Sequence, residues 1–512
     1  MPNTFSKPAL GFLVAAVLVA CSDSPSNEPI RFDSVIRNGQ LVDGLGDSAR
    51  AADVYINGGV IAAITAPGEV DAQVTTVIDA SNKIVAPGFI DVHSHGDPLE
   101  TPDFENFLAQ GVTTITLGQD GDSPNVTDLG EWLEEVSENG IGVNLAMFVG
   151  HGTLRDLAGI GQNPAPGADQ MQRMLELLNN SLDHAFGLST GLEYNPGLHA
   201  QESELIEMAK IVGSRDRIIM SHMRNEDDDQ LEKSIDELLS QGLYARVHIS
   251  HLKSVYGKGS ARAEEILGLI ERARQSGIEL SADVYPYNAS YAGLALLFPV
   301  WSKTDEEFAV AVRDRREELE EYLVARISKR NGPEATLLAT DPYTGKTLAD
   351  LERELGLPFE KILIDVIGPQ GGSGAYFIMD DDLQSRLLED ENITVSSDGS
   401  PTGFHPRGHG TFAKIIEEYV VNRAALPLEE AVRKMTSYSA ALLGVTDRGS
   451  IEVGKAADLI IFDPSSVSAK ATYAEPLQLA EGFEVVMVNG VVAFQNGAGV
   501  NVASGEVLRP GQ

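Results

Sequence analysis

The sequence is almost without cysteine. Cys21 is the only one in 512 residues, which excludes an internal disulfide framework and any cysteine-built metal site in the folded body. Positive charge is also scarce: 38 basic residues stand against 76 acidic ones, for a formal net charge of −38 and a pI near 4.5. No basic cluster interrupts that excess, so the chain repels phosphate backbones and anionic headgroups, and a nucleic-acid partner or electrostatic membrane docking is excluded. Nor is there an apolar run of the ~20 residues that a membrane-spanning helix needs. The rest of the composition, 43% hydrophobic and 22% charged, is that of a globular protein with room for one large domain and a smaller one, or three modest ones. The acidity itself reads as a solvated surface of the kind a saline habitat tolerates. Any metal must be held by His, Asp or Glu, and there are ten histidines to search.

The longest apolar run, Ala9 to Ala20, follows Lys7 and ends in Leu18-Val19-Ala20-Cys21. It matches the ~7–15-residue core of a secretory signal. Residues 1–20 are therefore expected to be a signal peptide and 21–29 a Ser/Pro-rich linker. Small residues ahead of a cysteine resemble the lipobox of bacterial lipoproteins, which implies lipidation of Cys21. An ordinary signal with an incidental cysteine is the alternative. Either way the protein is expected to be exported; the lipobox implies anchoring in the bacterial periplasm or cell envelope, with membrane contact only through the lipid.

From Ile30 onward, short β-type runs alternate with Gly/Asn/Asp turns, and the same texture returns in Leu459–Phe462, Val485–Asn489 and Val491–Phe494, with Asn489-Gly490 as a hairpin signal. The two ends are expected to form one small β-sandwich, residues 30–86 with 449–512. Between them, over 87–448, eight β-rich runs alternate with amphipathic helical stretches: Phe89–Ser94, Val112–Gly118, Val143–Val149, Phe186–Ser189, Ile218–His222, Ala245–His251, Leu280–Tyr287 and Ile393–Asp398. That alternation predicts an α/β fold, a (β/α)8 TIM barrel. A long gap between the seventh and eighth strands, about 288–392, predicts an insertion, either a lid beside the barrel mouth or a surface elaboration.

The positions of the polar residues carry the function. His93 and His95 end the first strand, Asp120 follows the second, His151 the third, His222 the fifth, His251 the sixth and Asp398 the eighth. In a barrel, residues at the C-terminal strand ends converge on one mouth. His93 and His95, two apart on a strand, face the same side, and an aspartate closing the apolar strand Ile393–Asp398 would be costly to bury without a metal or donor. Together they predict a centre of His, Asp and water, a donor set that suits Zn²⁺. Lys253, two residues after His251, faces the same side as that ligand and is a candidate for a substrate carboxylate. His184, His199 and His248 carry no assigned chemistry. His151 suits hydrogen bonding as well as ligation, and His405 and His409, on the loop after the eighth strand, could touch substrate.

The run Ala86-Pro87-Gly88-Phe89-Ile90-Asp91-Val92-His93-Ser94-His95 resembles the first-strand signature of the amidohydrolase superfamily. Gly187 to Tyr194, Ser221-His222-Met223-Arg224, Ser250-His251-Leu252-Lys253, Asp283-Val284-Tyr285-Pro286-Tyr287 and Ser397-Asp398-Gly399 are similar to the N-acyl-D-amino-acid deacylases, or D-aminoacylases, within it. The resemblance implies that His93, His95 and Asp398 face one metal position and that His222 and His251 hold another, completed by position 120. That ligand is typically cysteine in these deacylases; here it is Asp120 in Gly118-Gln119-Asp120-Gly121. The cofactor implied is Zn²⁺, one or two divalent ions. Hydantoinase-like relatives use a carboxylated lysine from the fourth strand, and Phe186 to Thr190 contains none.

The resemblance further implies hydrolysis of the linear amide of an N-acyl-D-amino acid or D-residue dipeptide, with Asp398 as catalytic proton acceptor and donor. Tyr194, Arg224 and Tyr285 join Lys253 as candidate substrate-binding residues. Two other functions stand beside this one: hydrolysis of a cyclic amide, imide or ester, and a surface-anchored binding protein without catalysis.

Overall fold

Eight parallel strands, each wholly buried or nearly so, form the centre of the molecule: Phe89–Asp91, Val112–Leu117, Asn144–Gly150, Gly187–Gly191, Ile218–His222, Arg246–Ile249, Leu280–Val284 and Ile393–Val395. They pair in chain order. A parallel bridge between Ser94 and Gly399, just beyond the first and eighth strands, brings the two edges together. The computed structural model describes residues 30–511 apart from Val502; the expected signal segment, the linker and Cys21 lie outside the described residues.

The helices cover the outside because each carries one apolar stripe. Leu129–Asn139 buries Leu133 and Val136, Leu231–Gly242 buries Ile235 and Leu238, and Gly259–Gln275 buries Ile266 and Ile270, all in one core with the strands. A strand covered in this way reads as a continuous apolar run, which is why the barrel is visible in the sequence. The fold is the expected (β/α)8 barrel.

The chain ends meet where Ile84–Pro87 pairs antiparallel with Leu459–Phe462. That pairing joins nine strands into one continuous hydrogen-bonded sheet, with Ile36, Val54, Ile61, Leu459, Ile461 and Met487 sharing a core. Asn489 and Gly490 turn the hairpin between Phe483–Val488 and Val491–Gln495, both with positive φ, 50° and 78°, the conformation an Asn-Gly turn supplies.

The insertion has its own core and its own sheet. Ser290–Gly293, Ser373–Tyr376 and Thr336–Leu338 form three antiparallel strands, and helices Asp305–Asp314, Arg316–Lys329 and Leu348–Leu355 pack with them around Leu319, Leu323, Leu351 and Ile362. The helix Asp381–Glu389, inside the stretch expected to be insertion, instead buries Leu383, Leu387 and Leu388 in the barrel core.

Barrel and sheet are locked by buried polar groups. Asp458 accepts from Arg448 (2.8 Å), the Asn489 backbone N–H (2.7 Å) and the side chain of Asn144 on the third barrel strand (2.9 Å). Burial raises the Asp458 pKa, and Arg448 works against that. Removing one partner of a buried ion pair strands the other charge. Arg448→Met is therefore expected to cost about 3–5 kcal/mol of unfolding free energy in a urea titration, and a loss under about 0.5 kcal/mol, the range of a neutral surface change, would contradict this account of the joint.

Candidate metal centre

The strand ends deliver six side chains to one place because the backbone there is pinned. Asp398 N–H donates to His93 O and His95 N–H to Gly399 O, both at 2.8 Å, so the seam that closes the barrel also sets His93, His95 and Asp398 side by side. Buried Asp91 braces the seam, its Oδ1 accepting from Ser397 N–H (3.0 Å) and His93 N–H (3.2 Å). Asp120, His251 and Asp398 each have positive φ, 54°, 38° and 49°. Such conformations cost of order 1–3 kcal/mol each and persist where the surroundings enforce them.

Three groups of ligand-type atoms result among the described residues, and Asp120 belongs to two of them: His93, His95, Asp120 and Asp398 form the first, Asp120, His222 and His251 the second, and Glu193, His222 and Glu226 a third beside them, with the atoms of each within 4.8 Å of one another. In the first, His95 Nε2 lies 3.1 Å from Asp398 Oδ1 and 3.5 Å from Asp120 Oδ2, and His93 Nε2 lies 3.3 Å from Asp120 Oδ1. In the second, His251 Nε2 is 3.2 Å from Asp120 Oδ1 and 3.0 Å from His222 Nδ1.

Three observations fit a cation to these residues. His93 is completely buried, yet neither ring nitrogen makes a hydrogen bond, a costly state for an imidazole unless something else takes a lone pair. The outward Nε2 of His222 meets Glu193 at 3.3 Å, and a ring donating outward in that manner turns its Nδ1 lone pair inward, the arrangement that orients metal-binding histidines; the outward Nδ1 of His251 faces Lys253 Nζ at 2.8 Å and Glu226 at 3.3 Å. The third observation is electrostatic. Burial and Lys253 oppose a proton on His251, but Asp120 and Asp398 outweigh them and raise it to about 10; burial is likewise outweighed at His95, raised to about 9 by the same carboxylates. The cavity draws positive charge.

Beside the centre lies a pocket lined by Lys253, Tyr194, Tyr285, Ser290, Tyr291 and Arg407. Lys253 Nζ donates to Glu226 at 2.7 Å and sits 2.8 Å from His251 Nδ1. Burial disfavours its charge, but Glu226 prevails and its pKa is raised. The Tyr194 ring packs at a tilt of 48° on His222, with centroids 4.4 Å apart. Tyr285 packs against Arg407 at 5.0 Å, its hydroxyl pushed up to about 12, chiefly by burial. Arg224 is not brought to the pocket: Glu237 (2.9 Å) and the carbonyls of Leu198 and Ala200 hold its guanidinium. All three of its nitrogens are turned toward those groups, and it lines neither the inner pocket nor the outer cavity.

Arg407 is the residue that sequence reasoning passed over. Its Nη1 donates to Asp398 Oδ2 at 2.6 Å, and although burial pushes the Asp398 pKa up, Arg407 and His251 hold it well below the usual carboxylate range. The close approach that makes this possible needs glycine on both sides. A Cβ on Gly399 would stand 2.3 Å from Gly408 Cα, and one on Gly408 would stand 2.5 Å from Ser400 O. The pair Gly399 and Gly408, flanking Asp398 and Arg407 in the sequence, was the available signal.

The other histidines serve structure. His151 is buried against Glu204 (2.8 Å), which also holds Arg155, and His248 pairs with Asp283 at 2.6 Å. His184 meets Arg509 and His199 meets Asn195. His405 lines the outer cavity and bonds Ala289 O at 3.1 Å, whereas His409 is buried on the helix Arg407–Lys414, away from both cavities.

A barrel whose strand ends gather four histidines and two aspartates around shared ligand positions defines the amidohydrolase class, and residues 317–494 match the family model described as "Amidohydrolase family". Over 492 residues the chain is 32% identical to the N-acyl-D-glutamate deacylase of Alcaligenes xylosoxydans xylosoxydans, covering 91% of this chain and 94% of that one. It superposes on the N-acyl-D-glutamate deacylase of Bordetella bronchiseptica, solved with zinc and a phosphonate mimic of the tetrahedral intermediate, with a TM-score of 0.81 at 31% identity, covering 94% of this chain and 100% of that one. A D-aminoacylase solved in a study of its binuclear metal centre gives 0.78 at 28% identity, over 93% of this chain and 100% of that one. The chain belongs to the D-aminoacylase, or N-acyl-D-amino-acid deacylase, family of amidohydrolases, and is a hydrolase of that type.

The buried His409 yields a pH test. Burial lowers its folded pKa to about 4, below the ~6.5 of an unfolded histidine. The unfolded chain binds the proton first, so this residue's contribution to stability is intact above about pH 6.5 and declines toward pH 4. His409→Leu is expected to flatten the fall in thermal midpoint between those pH values, and an unchanged slope would contradict the assignment.

Proposed function

We propose that the protein is a metal-dependent deacylase that cleaves the linear amide of N-acyl-D-amino acids, or of dipeptides ending in a D-residue, to a carboxylate and a free D-amino acid. The observation that carries this reading is the pair of ligand groups sharing Asp120 beside a pocket lined by the cationic residues Lys253, Arg330 and Arg407. His93, His95, Asp120 and Asp398 would hold one divalent ion and Asp120, His222 and His251 another, with zinc favoured by the nitrogen and oxygen donors and by its presence in the Bordetella relative. A bound ion supplies Lewis acidity, polarising the scissile carbonyl and acidifying a water.

The protein's own groups do the rest. Asp398, kept ionised by Arg407, takes a proton from the attacking water and returns it to the leaving amine. Tyr194 stays protonated, because burial raises its pKa well above 10, and so remains a donor for the acyl carbonyl. Lys253, Arg407 and Tyr285 receive the α-carboxylate; Arg407 and Lys253 already hold their charge at carboxylates, so they sit where a second anion can share them. Asp120, in place of the cysteine typical of the family, would serve both candidate positions as a harder ligand, which favours zinc less strongly over other divalent ions. The same reading extends to the exported location and lipid anchor, which rest on the sequence around Cys21 alone; Cys21→Ser is expected to move the protein from the membrane fraction to the soluble one, and retention on membranes would overturn the anchor.

With zinc supplied, N-acetyl-D-amino acids should be hydrolysed and their L-enantiomers left intact in an assay for free amino acid. Asp398→Asn should lower kcat by about 10²–10⁴-fold, the usual contribution of a positioned acid/base. Full activity in that variant, or equal rates on both enantiomers, would overturn the proposal. Asp120→Ala should weaken binding of both ions in a metal titration, whereas loss at one position alone would contradict the bridging role.

A further inference from the structure

A second carboxylate, besides Asp91, holds the backbone that carries the ligand-type residues. Asp283, on the seventh strand Leu280–Val284, is fully buried. Its Oδ1 accepts from the backbone N–H of His251 at 2.9 Å and from the hydroxyl of Ser396, and its Oδ2 lies 2.6 Å from His248 Nε2. One oxygen therefore joins the end of the sixth strand, at a candidate ligand, to the end of the eighth, two residues before Asp398. Three donors also offset the cost of burying the charge.

The local backbone requires a side-chain acceptor there. The sixth strand ends at Ile249, and Ser250 N–H still donates to Ser221 O at 3.0 Å. His251 then turns into positive φ, 38°, a region that a residue other than glycine holds where its surroundings enforce it. The turn takes its N–H out of the ladder, and Asp283 receives it; the backbone O of Asp283 receives the next N–H, from Leu252, at 2.7 Å. On the eighth strand, Ser396 N–H donates to Val284 O at 3.1 Å and Ser397 N–H to Asp91 Oδ1 at 3.0 Å. Ser396 and Ser397 are thus each tied to a buried carboxylate immediately before Asp398 enters its own positive φ of 49°. His248 fixes Asp283 in turn: fully buried, it donates from Nε2 to the carboxylate while its Nδ1 meets Ser281 Oγ at 2.8 Å.

We propose that Asp283 is a positioning residue for the metal centre: oriented by His248, it fixes His251 for one ion position and Asp398 for the other, and so sets zinc affinity at both. Asp120 would join the two positions through ligand atoms, whereas Asp283 joins them through the backbone behind the ligands. The inference rests on the metal-dependent reading above and is independent of which acyl group or amino acid is cleaved.

The test measures zinc affinity of the full chain by competition with a chelator, without substrate, in the wild type, Asp283→Ala, Asp283→Asn and Ser396→Ala, beside thermal melts of the metal-free and zinc-loaded forms. Asp283→Ala is expected to weaken zinc binding by about 10- to 100-fold, the usual effect of removing a group that orients ligands from behind. Asp283→Asn keeps an oxygen for His251 N–H and Ser396, and a neutral His248 can turn an acceptor nitrogen toward its amide, so this variant should recover most of the loss. Asp283→Ala that binds zinc as tightly as the wild type and merely melts at a lower temperature assigns Asp283 to stability alone and overturns the inference. So does Asp283→Asn as weak as Asp283→Ala. Should Asp283→Ala fail to fold, Ser396→Ala decides, because it leaves Asp283 paired with His248 and His251 N–H: a loss of about 10-fold in zinc affinity sustains the inference and an unchanged affinity removes it. A wild type that binds no zinc overturns the metal reading itself, whereas a wild type and variants that bind it equally overturn this inference alone.

Discussion

Everything chemical in this molecule depends on the seam between the first and eighth barrel strands. Two backbone hydrogen bonds, Asp398 N–H to His93 O and His95 N–H to Gly399 O, close the ring, and three of the four residues they join, His93, His95 and Asp398, are ligand-type residues. A parallel barrel can close only in a fixed register, so closing it fixes three side chains to within a few ångströms without help from any loop. Asp120, His222 and His251 arrive by the same rule from the ends of the second, fifth and sixth strands. The positive φ of Asp120, His251 and Asp398 is the local strain that this convergence imposes, and the surrounding barrel core is what sustains it.

The electrostatics follow from that geometry. Two carboxylates in a cavity shielded from water would repel each other, and each is held ionised by a different cation: imidazolium-prone rings around Asp120, and Arg407 on Asp398. Around them a second ring of charges, Glu193, Glu226 and Lys253, sets which nitrogen of His222 and His251 points inward. The insertion adds a third layer through Arg326, whose guanidinium reaches Asp227 at 3.5 Å and Glu193 at 3.8 Å. The site is thus built from nested pairs of charges.

Much of this was legible in the sequence, for physical reasons. Barrel strands covered on both faces are continuous apolar runs, and a histidine or aspartate ending such a run is conspicuous, so the six ligand-type residues and Lys253 could be named from their positions. Arg224 shows the limit. It belongs to the same motif as His222, but its side chain leaves toward Glu237 and two carbonyls, a direction that no spacing rule encodes. Arg407 was missed for a related cause: it opens the helix Arg407–Lys414, nine residues beyond Asp398, and reaches that carboxylate only because the chain folds back on itself at the glycine contact between residues 399 and 408. The helix Asp381–Glu389 was assigned to the insertion because length gave no clue that its leucines belong to the barrel.

The central claim, that these strand ends form one cation-binding centre, is tested most directly by crystals of the zinc-loaded protein measured above and below the zinc absorption edge. The account expects anomalous peaks bounded by His93, His95, Asp120 and Asp398 and by Asp120, His222 and His251, in one or both positions. Anomalous density confined to surface carboxylates, with none between these six side chains, would contradict it.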